Sequence, residues 1–364
     1  MARSRFGHIQ RLGEGRYRVF WRDNGARKSH VVHGTLDDAE VYLARMRIED
    51  REASTTWREF WIARVEPSLD GLAVKTVDEY RRLWKRELEP RIGGEAVSAM
   101  DWSRANDVLT DIGSPSVQRH AGALLKKMCN MAIRDRAHLL QYNPVDRAIE
   151  YAPHRRRRKV LVESLDVGRY VDAFMQTKYA PVLLAELGSG LRVEEACALT
   201  WDDVSEVEYK GGVYAAFDVS KALVTTAGGL LLKDTKNEPS ARTAVCGEPF
   251  ASLVLGLRPD ENAPLVPSGR LYQRSNPAWW YTSPATIAHN WKTWCERHGI
   301  PYVAPRDMRS SYATLMGEAM APDSVVSGNM GHSDGTTKGR NYQAVTIAAK
   351  CRAAGILAGY LADL

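Results

Sequence analysis

Residues 6–33 alternate polar and apolar positions around two turn signals, "LGEG" at 12–15 and "DNGA" at 23–26, the second holding the Asn-Gly pair favoured in two-residue hairpins. The pattern predicts three short antiparallel strands. At Thr35 the period changes. Asp38 follows three residues later as a capping-box acid, and Ala39, Tyr42, Leu43 and Met46 recur at helical spacing, so the first unit reads as a three-stranded sheet backed by one helix. From 54 to 150 the apolar positions keep the helical period, starting with Trp57, Phe60, Trp61 and Val65. They run through "VKTVDEYRRLWKRELEPRIGG" and "DWSRANDVLTDIG" to "SPSVQRHAGALLKKMCNMAIRDRAHLL" before Asn143-Pro144, which predicts an all-helical unit of four or five helices. The stretch "APHRRRRKVLV" at 152–162 has almost nothing to bury and marks an exposed connector. Beyond 163 helical patterning returns, broken by strand-rich sequence at 207–246; there "KDTKNEPSARTAV" at 233–245 reads as a β-hairpin with Lys236 near its turn and Arg242 on the returning strand.

The expected architecture is therefore multidomain and mainly α with small β elements. Its parts are 1–50, 54–150, a basic linker at 151–162, and 163–364. A chain of 364 residues with 44% apolar content exceeds what one core usually serves and fills two or three. Five scattered cysteines, an odd number with no C-x-x-C pair, indicate neither a disulfide framework nor a zinc knuckle, and no metal site is expected. The opening "MARSRFGHIQ" has no apolar stretch after its basic residues, and no later run reaches membrane-span length, so a cytoplasmic, unprocessed protein is expected.

A net charge of +6 matters only where it is concentrated. Arg11, Arg16, Arg18, Arg22, Arg27 and Lys28 lie on or between the first strands. Arg81, Arg82, Lys85, Arg86, Lys126 and Lys127 flank the apolar stripes of two helices, and Arg155, Arg156, Arg157, Arg158 and Lys159 fill the connector. Each set alone also has a plain reading, as a solvated surface or, in the connector, a solubilising linker or targeting signal. Three in succession suit contact with a phosphate backbone, where each neutralised phosphate releases counterion.

Common chemistries lack their footholds: there is no G-x-x-x-x-G-K-[ST], no H-E-x-x-H and no G-x-S-x-G. What remains is a set of separated segments. "GSGLRVEEACALTWDDV" at 188–204 places Arg192 where a glycine-rich turn enters a helix, with Glu195 one turn away to orient its guanidinium. "PRDMRSSYATLMGEA" at 305–319 starts a helix after Pro305, with Arg306 and Arg309 on one face and Met308, Tyr312 and Leu315 on another. "GHSDGTTKGRNYQ" at 331–343 brings a histidine and a tyrosine into a polar loop.

Taken in order, "LGSGLRVEEACALTWDDV", the hairpin lysine, "RDMRSSYATLMGEA", "SVVSGNMGHSD" and "GRNYQAV" resemble the successive boxes of the tyrosine recombinase family, the phage-integrase type. Residues 54–150 are similar to that family's core-binding domain, and the leading sheet and helix resemble the arm-binding domain of integrases. The resemblance implies a mixed α/β catalytic domain and site-specific recombination through a Holliday junction. It also implies a 3′-phosphotyrosine intermediate formed without metal, ATP or other cofactor. In it Arg192 and Arg309 bind the non-bridging phosphate oxygens, His332 donates to phosphate, Lys236 (or Lys233) is the general acid, and Tyr342 is the nucleophile. Arg306 stands where the family usually has histidine, and an arginine cannot accept a proton there. Implied partners are core-type and arm-type DNA sites, a homotetramer on DNA, a host DNA-bending protein and an excisionase, on the nucleoid of a bacterial host. The C-terminal segment "AVTIAAKCRAAGILAGYLADL" reads as an apolar helix that packs on its own domain or docks on a neighbouring protomer. Alternative readings are a catalytically silent architectural DNA-binding protein, a chromosome-resolution or transposon recombinase, and a topoisomerase of the same chemistry.

Overall fold

The computed structural model describes residues 7–23, 26–53, 55–136, 138–147, 149–153, 158–234, 241–270, 272–331 and 345–364. Two compact units divide the chain, Met1–Arg156 and Arg157–Leu364.

The first unit opens with β1 (Gly7–Gly13), β2 (Arg16–Asp23) and β3 (Ala26–His33), an antiparallel sheet in that order, followed by α1 (Leu36–Ala53). Asp23 pairs with Ala26, the register of a two-residue loop. Strand alternation sends Val19 and Trp21 toward α1, where Val19 is fully buried and Trp21 meets the Tyr42 ring edge-on at 5.9 Å. Arg16, Arg18, Phe20 and Arg22 alternate to the other face; there His8 stacks on Phe20 at 4.6 Å, and the Arg27 guanidinium lies 4.9 Å from the same ring. The helix start follows the sequence pattern: Thr35 N–H donates to the Asp38 carboxylate at 2.7 Å, and Asp38 N–H donates to the Thr35 hydroxyl at 3.2 Å. These bonds hold the Asp38 carboxyl below its ordinary range.

The helices of this unit are α2 (Trp57–Phe60), which runs into a π turn at Trp61–Val65, and α3 (Val74–Leu83), which runs through a second π turn at Trp84–Leu88 into α4 (Glu89–Ile92). Then come α5 (Trp102–Thr110) and α6 (Pro115–Arg134). Trp61 and Trp84 stack at 4.8 Å, and the core continues through Trp57, Phe60, Leu124, Leu125 and Met128. Three of the basic residues flanking it are ion-paired at the surface. Arg81 meets Glu66 at 2.6 Å, Arg82 meets Glu79 at 2.7 Å, and Lys126 meets Asp146 at 2.7 Å, pairs too exposed to contribute much stability.

The second unit contains α7 (Val167–Met175), α8 (Ala180–Ser189), α9 (Val193–Ala196), β4 (Val204–Tyr209), β5 (Gly212–Val219), β6 (Lys221–Thr226), β7 (Gly229–Asp234), β8 (Arg242–Cys246), α10 (Phe250–Gly256), α11 (Pro284–His298), α12 (Pro305–Glu318), α13 (Asp323–Met330) and α14 (Ile347–Ala362). Every residue of α8 is buried, so this apolar helix is the centre around which the unit packs. The predicted hairpin over 233–245 does not form. β7 pairs with β6 across the two-residue loop Ala227-Gly228, whereas β8 pairs with β5, with Arg242 opposite Val219 and Cys246 opposite Ala215. The local glycine turn captures β7, and the apolar strand "TAVC" goes instead to the buried sheet.

α14 packs within its own unit. Cys351, Ala353, Ala354 and Leu357 are buried, and the buried Lys350 ammonium donates to the Thr243 carbonyl on β8. All five cysteines are free and buried, and no helix among the described residues is long and apolar enough to cross a membrane.

Candidate active site

The site begins where α8 stops. Gly190 takes the left-handed conformation (φ 70°) that closes the helix, and its N–H reaches the Glu186 carbonyl at 2.9 Å. Two residues on, Arg192 caps α9: Glu195 accepts the Arg192 backbone N–H at 2.9 Å through Oε2 and its Nη1 at 2.6 Å through Oε1. The Arg192 side chain keeps 42% of its surface exposed, whereas Glu195 is buried.

A second arginine reaches the same carboxylate from β8. Arg242, with only 6% of its side chain exposed, donates Nη2 to Glu195 Oε2 at 2.9 Å and Nη1 to Oε1 at 3.2 Å. Burial alone would raise the Glu195 carboxyl, but the bonds and charge of Arg242, together with the bonds from Arg192, outweigh it and hold the group below its ordinary value. Glu195 is thus an anion at neutral pH.

Arg309 enters from α12. Its Nη1 donates to the carbonyls of Gly190 at 2.6 Å and Met330 at 2.9 Å, while its Nη2 is buried with no acceptor among the described residues. Burial, then the nearby Arg192 and Arg242 charges against the pull of Glu195, push its pKa down to about 10, which leaves it charged at neutral pH.

The end of α13 organises these cations. The consecutive carbonyls of Asn329, Met330 and Gly331 accept Arg242 Nε at 2.7 Å, Arg309 Nη1 at 2.9 Å and Arg192 Nη2 at 3.3 Å. These are carbonyls a helix terminus leaves unpaired, at the negative end of its dipole. The Asn329 side chain fixes that terminus: its Nδ2 reaches the carbonyls of Ser189 (3.1 Å) and Val245 (3.0 Å) and the Tyr312 hydroxyl (3.0 Å), and its Oδ1 accepts Val245 N–H at 2.8 Å. Among the described residues, three guanidinium groups against one carboxylate leave a surplus of positive charge and an unpaired donor, a pocket suited to an oxyanion.

Of the sequence-predicted residues, the structure brings together Arg192, Glu195 and Arg309. Arg306 lies exposed on α12 with no hydrogen bond or ion pair among the described residues. Lys236, His332 and Tyr342 lie outside the described residues, as do Arg155, Arg156 and Arg157. Gly331, which precedes His332, is bonded to Arg192, and Val345, three residues after Tyr342, packs on Gly328 of α13. Arg158 is exposed, Lys159 donates to the Ser310 hydroxyl at 2.8 Å, and the alternative lysine, Lys233, is exposed on β7. The sequence reading places Arg242 on a returning strand and assigns neither it nor Asn329 to the site. No group of His, Cys, Asp and Glu that could hold a metal occurs among the described residues.

No protein-family model matches the chain, and no curated protein matches it in sequence. Solved structures do match its fold. The Tn1549 transposon integrase in complex with a circular intermediate DNA aligns with a TM-score of 0.63 at 18% identity, over 82% of this chain and 98% of that one. A lambda integrase tetramer bound to a Holliday junction aligns with a TM-score of 0.54 at 15% identity, over 93% of this chain and 97% of that one. A lambda integrase dimer bound to a COC′ core site gives 0.51 at 16% identity, over 93% and 97%. The fold of this chain is the fold these integrases share.

Proposed function

We propose that the chain is a site-specific DNA recombinase of the integrase type, which cleaves and rejoins DNA through a 3′-phosphotyrosine. The observation that carries this reading is the Nη2 of Arg309 beside Arg192, buried and unpaired among the described residues, a cationic pocket whose open donor matches a phosphate oxygen. In the cleavage step the Tyr342 hydroxyl gives up its proton to solvent and its oxygen bonds to phosphorus. The P–O5′ bond breaks, and the 5′-oxygen takes a proton from Lys236. Arg192, Arg309 and His332 stabilise charge on the non-bridging oxygens. The phosphotyrosine conserves the energy of the broken bond for rejoining. Arg306 cannot act as a base; exposed on α12, it contributes positive charge toward the DNA.

Residues 1–50 act as the arm-type DNA-binding domain, with Arg16 and Arg18 on the outer face of the sheet. Residues 54–150 act as the core-binding domain, with Arg81, Arg82 and Lys126 exchanging their surface carboxylates for phosphates. Residues 151–162, carrying Arg155 to Arg158 and Lys159, link it to the catalytic domain at 163–364. DNA in the Tn1549 structures and the lambda tetramer on a Holliday junction support strand exchange by four copies on DNA. The element served is a phage or a transposon. A host DNA-bending protein and an excisionase complete the complex.

The test uses nicked duplexes drawn from the DNA flanking the reading frame. A covalent protein–DNA adduct, absent with Tyr342→Phe, supports the enzyme; no adduct with the unaltered chain on any duplex leaves a silent DNA-binding protein. Deleting residues 1–50 separates the arm-domain reading: core-site cleavage persists while integration is lost.

A further inference from the structure

We propose that Arg242 is a positioning residue of this pocket, holding Arg192 in place through the two groups on which Arg192 rests, the Glu195 carboxylate and the Gly331 backbone. The inference rests on the recombinase reading and goes beyond it, because that reading gives Arg242 no part in the chemistry.

Arg192 is poorly fixed by itself. It is a long side chain, 42% exposed, and its bond to the Gly331 carbonyl is long at 3.3 Å. Its firm contact is Glu195 at 2.6 Å, and Glu195 is set from behind by the Arg242 fork. Arg242 is the rigid member of the pair: it is 6% exposed, bonded to both carboxylate oxygens and to the Asn329 carbonyl, and carried on a strand paired to β5. Thr243, next along that strand, accepts the Lys350 ammonium, which ties β8 to α14.

The second group is Gly331. It has φ 68°, and a Cβ there would stand 2.8–2.9 Å from Arg242 Nη1, Cδ and Cζ, so the guanidinium lies against the bare backbone at this point. That backbone offers Arg192 its carbonyl. Without Arg242 the buried Glu195 keeps, among the described residues, only the half-exposed Arg192 as partner; the carboxylate then draws Arg192 inward or takes up a proton, and either change withdraws a phosphate donor.

The experiment compares Arg242→Met and Arg242→Lys, each alone and combined with Glu195→Gln. Three readouts are taken: adduct formation on the nicked duplex, DNA affinity by anisotropy, and acid unfolding. For Arg242→Met, adduct formation falls about 100-fold while DNA affinity stays within about threefold, the signature of a pocket donor lost in the transition state. Lysine keeps the charge and loses the fork, so it restores about tenfold or less. In the Glu195→Gln background the Arg242→Met change costs far less, because no buried charge is left uncompensated.

Acid unfolding reads the same contact without any recombinase activity. Arg192, Arg242 and Arg309 face Glu195, with Lys350 behind Arg242. The depressed Glu195 pKa stabilises the fold above the ordinary carboxyl range, and that stability is lost as pH falls through the folded value. Arg242→Met therefore moves acid unfolding upward by about one pH unit, and not in Glu195→Gln. Equal losses in both backgrounds, or adduct formation by Arg242→Met at the unaltered rate, overturn the proposal. If the unaltered chain forms no adduct, the recombinase reading fails, and the acid arm alone decides whether Arg242 holds Glu195. Should Arg242→Met not fold, the lysine variant carries the same comparisons.

Discussion

Arg309 donates Nη1 to the Met330 carbonyl at 2.9 Å and leaves Nη2 buried without an acceptor among the described residues. A buried guanidinium nitrogen without a partner is costly, and an oxyanion that reaches it removes that cost. Sulfate at ten times its dissociation constant contributes ~1.4 kcal/mol to stability. For a unit the size of Arg157–Leu364 that is about 3–5 °C in Tm. Arg309→Gln keeps a hydrogen-bonding side chain and loses the charge, so its Tm shift with sulfate, measured against sodium chloride at equal ionic strength, is much smaller. Equal shifts in the two proteins would show that the anion acts elsewhere.

Glu186 makes a different prediction. It is fully buried on α8, and neither carboxylate oxygen has a hydrogen-bond partner among the described residues. Burial, and secondarily the charge of Glu194, raise its pKa well above the ordinary carboxyl value, so the folded chain holds it protonated. The folded state then binds one proton more than the unfolded state between the two pKa values. The stability contribution is full below pH 4.5 and declines as pH rises toward the folded value. Urea denaturation at pH 5 and pH 8 gives a smaller loss for Glu186→Gln than for the unaltered chain. Glu186→Met gains about 1–3 kcal/mol at pH 8, the cost of the unpaired polar group. An identical pH difference in all three proteins would refute the assignment.

How much of this was readable in advance follows sequence distance. The Thr35–Asp38 capping box and the Arg192–Glu195 pair are three residues apart and appear as the spacing predicts, because both ends lie on one helical turn. The Glu195–Arg242 fork joins residues 47 apart through the β5–β8 pairing, and the β6–β7 hairpin inserted before β8 hides it. The misread hairpin has the same origin. "KDTKNEPSARTAV" holds two strand-like segments around turn residues, yet each pairs with a strand earlier in the chain. Nothing in the alternation of a strand names its partner. Asn329 escaped for a related reason, since a polar residue at a helix end ordinarily faces water, and only the packing of α8, β8 and α12 around it buries the amide.

Asn329 also carries a prediction. Its side chain satisfies a backbone N–H and two carbonyls in the core, where alanine offers none of these partners. At roughly 1 kcal/mol for each bond, and more for groups left buried and unpaired, Asn329→Ala costs about 3–5 kcal/mol. Asn329→Asp keeps the Oδ1 acceptor but sets an oxygen against the Ser189 and Val245 carbonyls. It is destabilised by a similar amount at pH 7. Urea midpoints check both, and a change below 1 kcal/mol in either would mean that the amide is not the tie joining α13 to its neighbours.

Gly190 and Gly299 separate two costs that usually come together. Both close helices in the left-handed region, at φ 70° after α8 and φ 66° after α11. A Cβ at Gly299 meets nothing within 4 Å, so Gly299→Ala bears only the backbone cost, ~1 kcal/mol. At Gly190 the same atom collides with the Tyr312 ring and comes within 2.9 Å of Met330, in a core with no space to yield. Overpacking there adds about 1–3 kcal/mol to the backbone cost. It also displaces the Gly190 carbonyl from Arg309 Nη1. Chemical denaturation therefore ranks Gly190→Ala as the more damaging by at least 1 kcal/mol, and the sulfate stabilisation assigned to Arg309 falls in Gly190→Ala but not in Gly299→Ala. If the two alanine variants lose equal stability and bind sulfate equally, the close packing of Tyr312 on Gly190 does not set the position of Arg309.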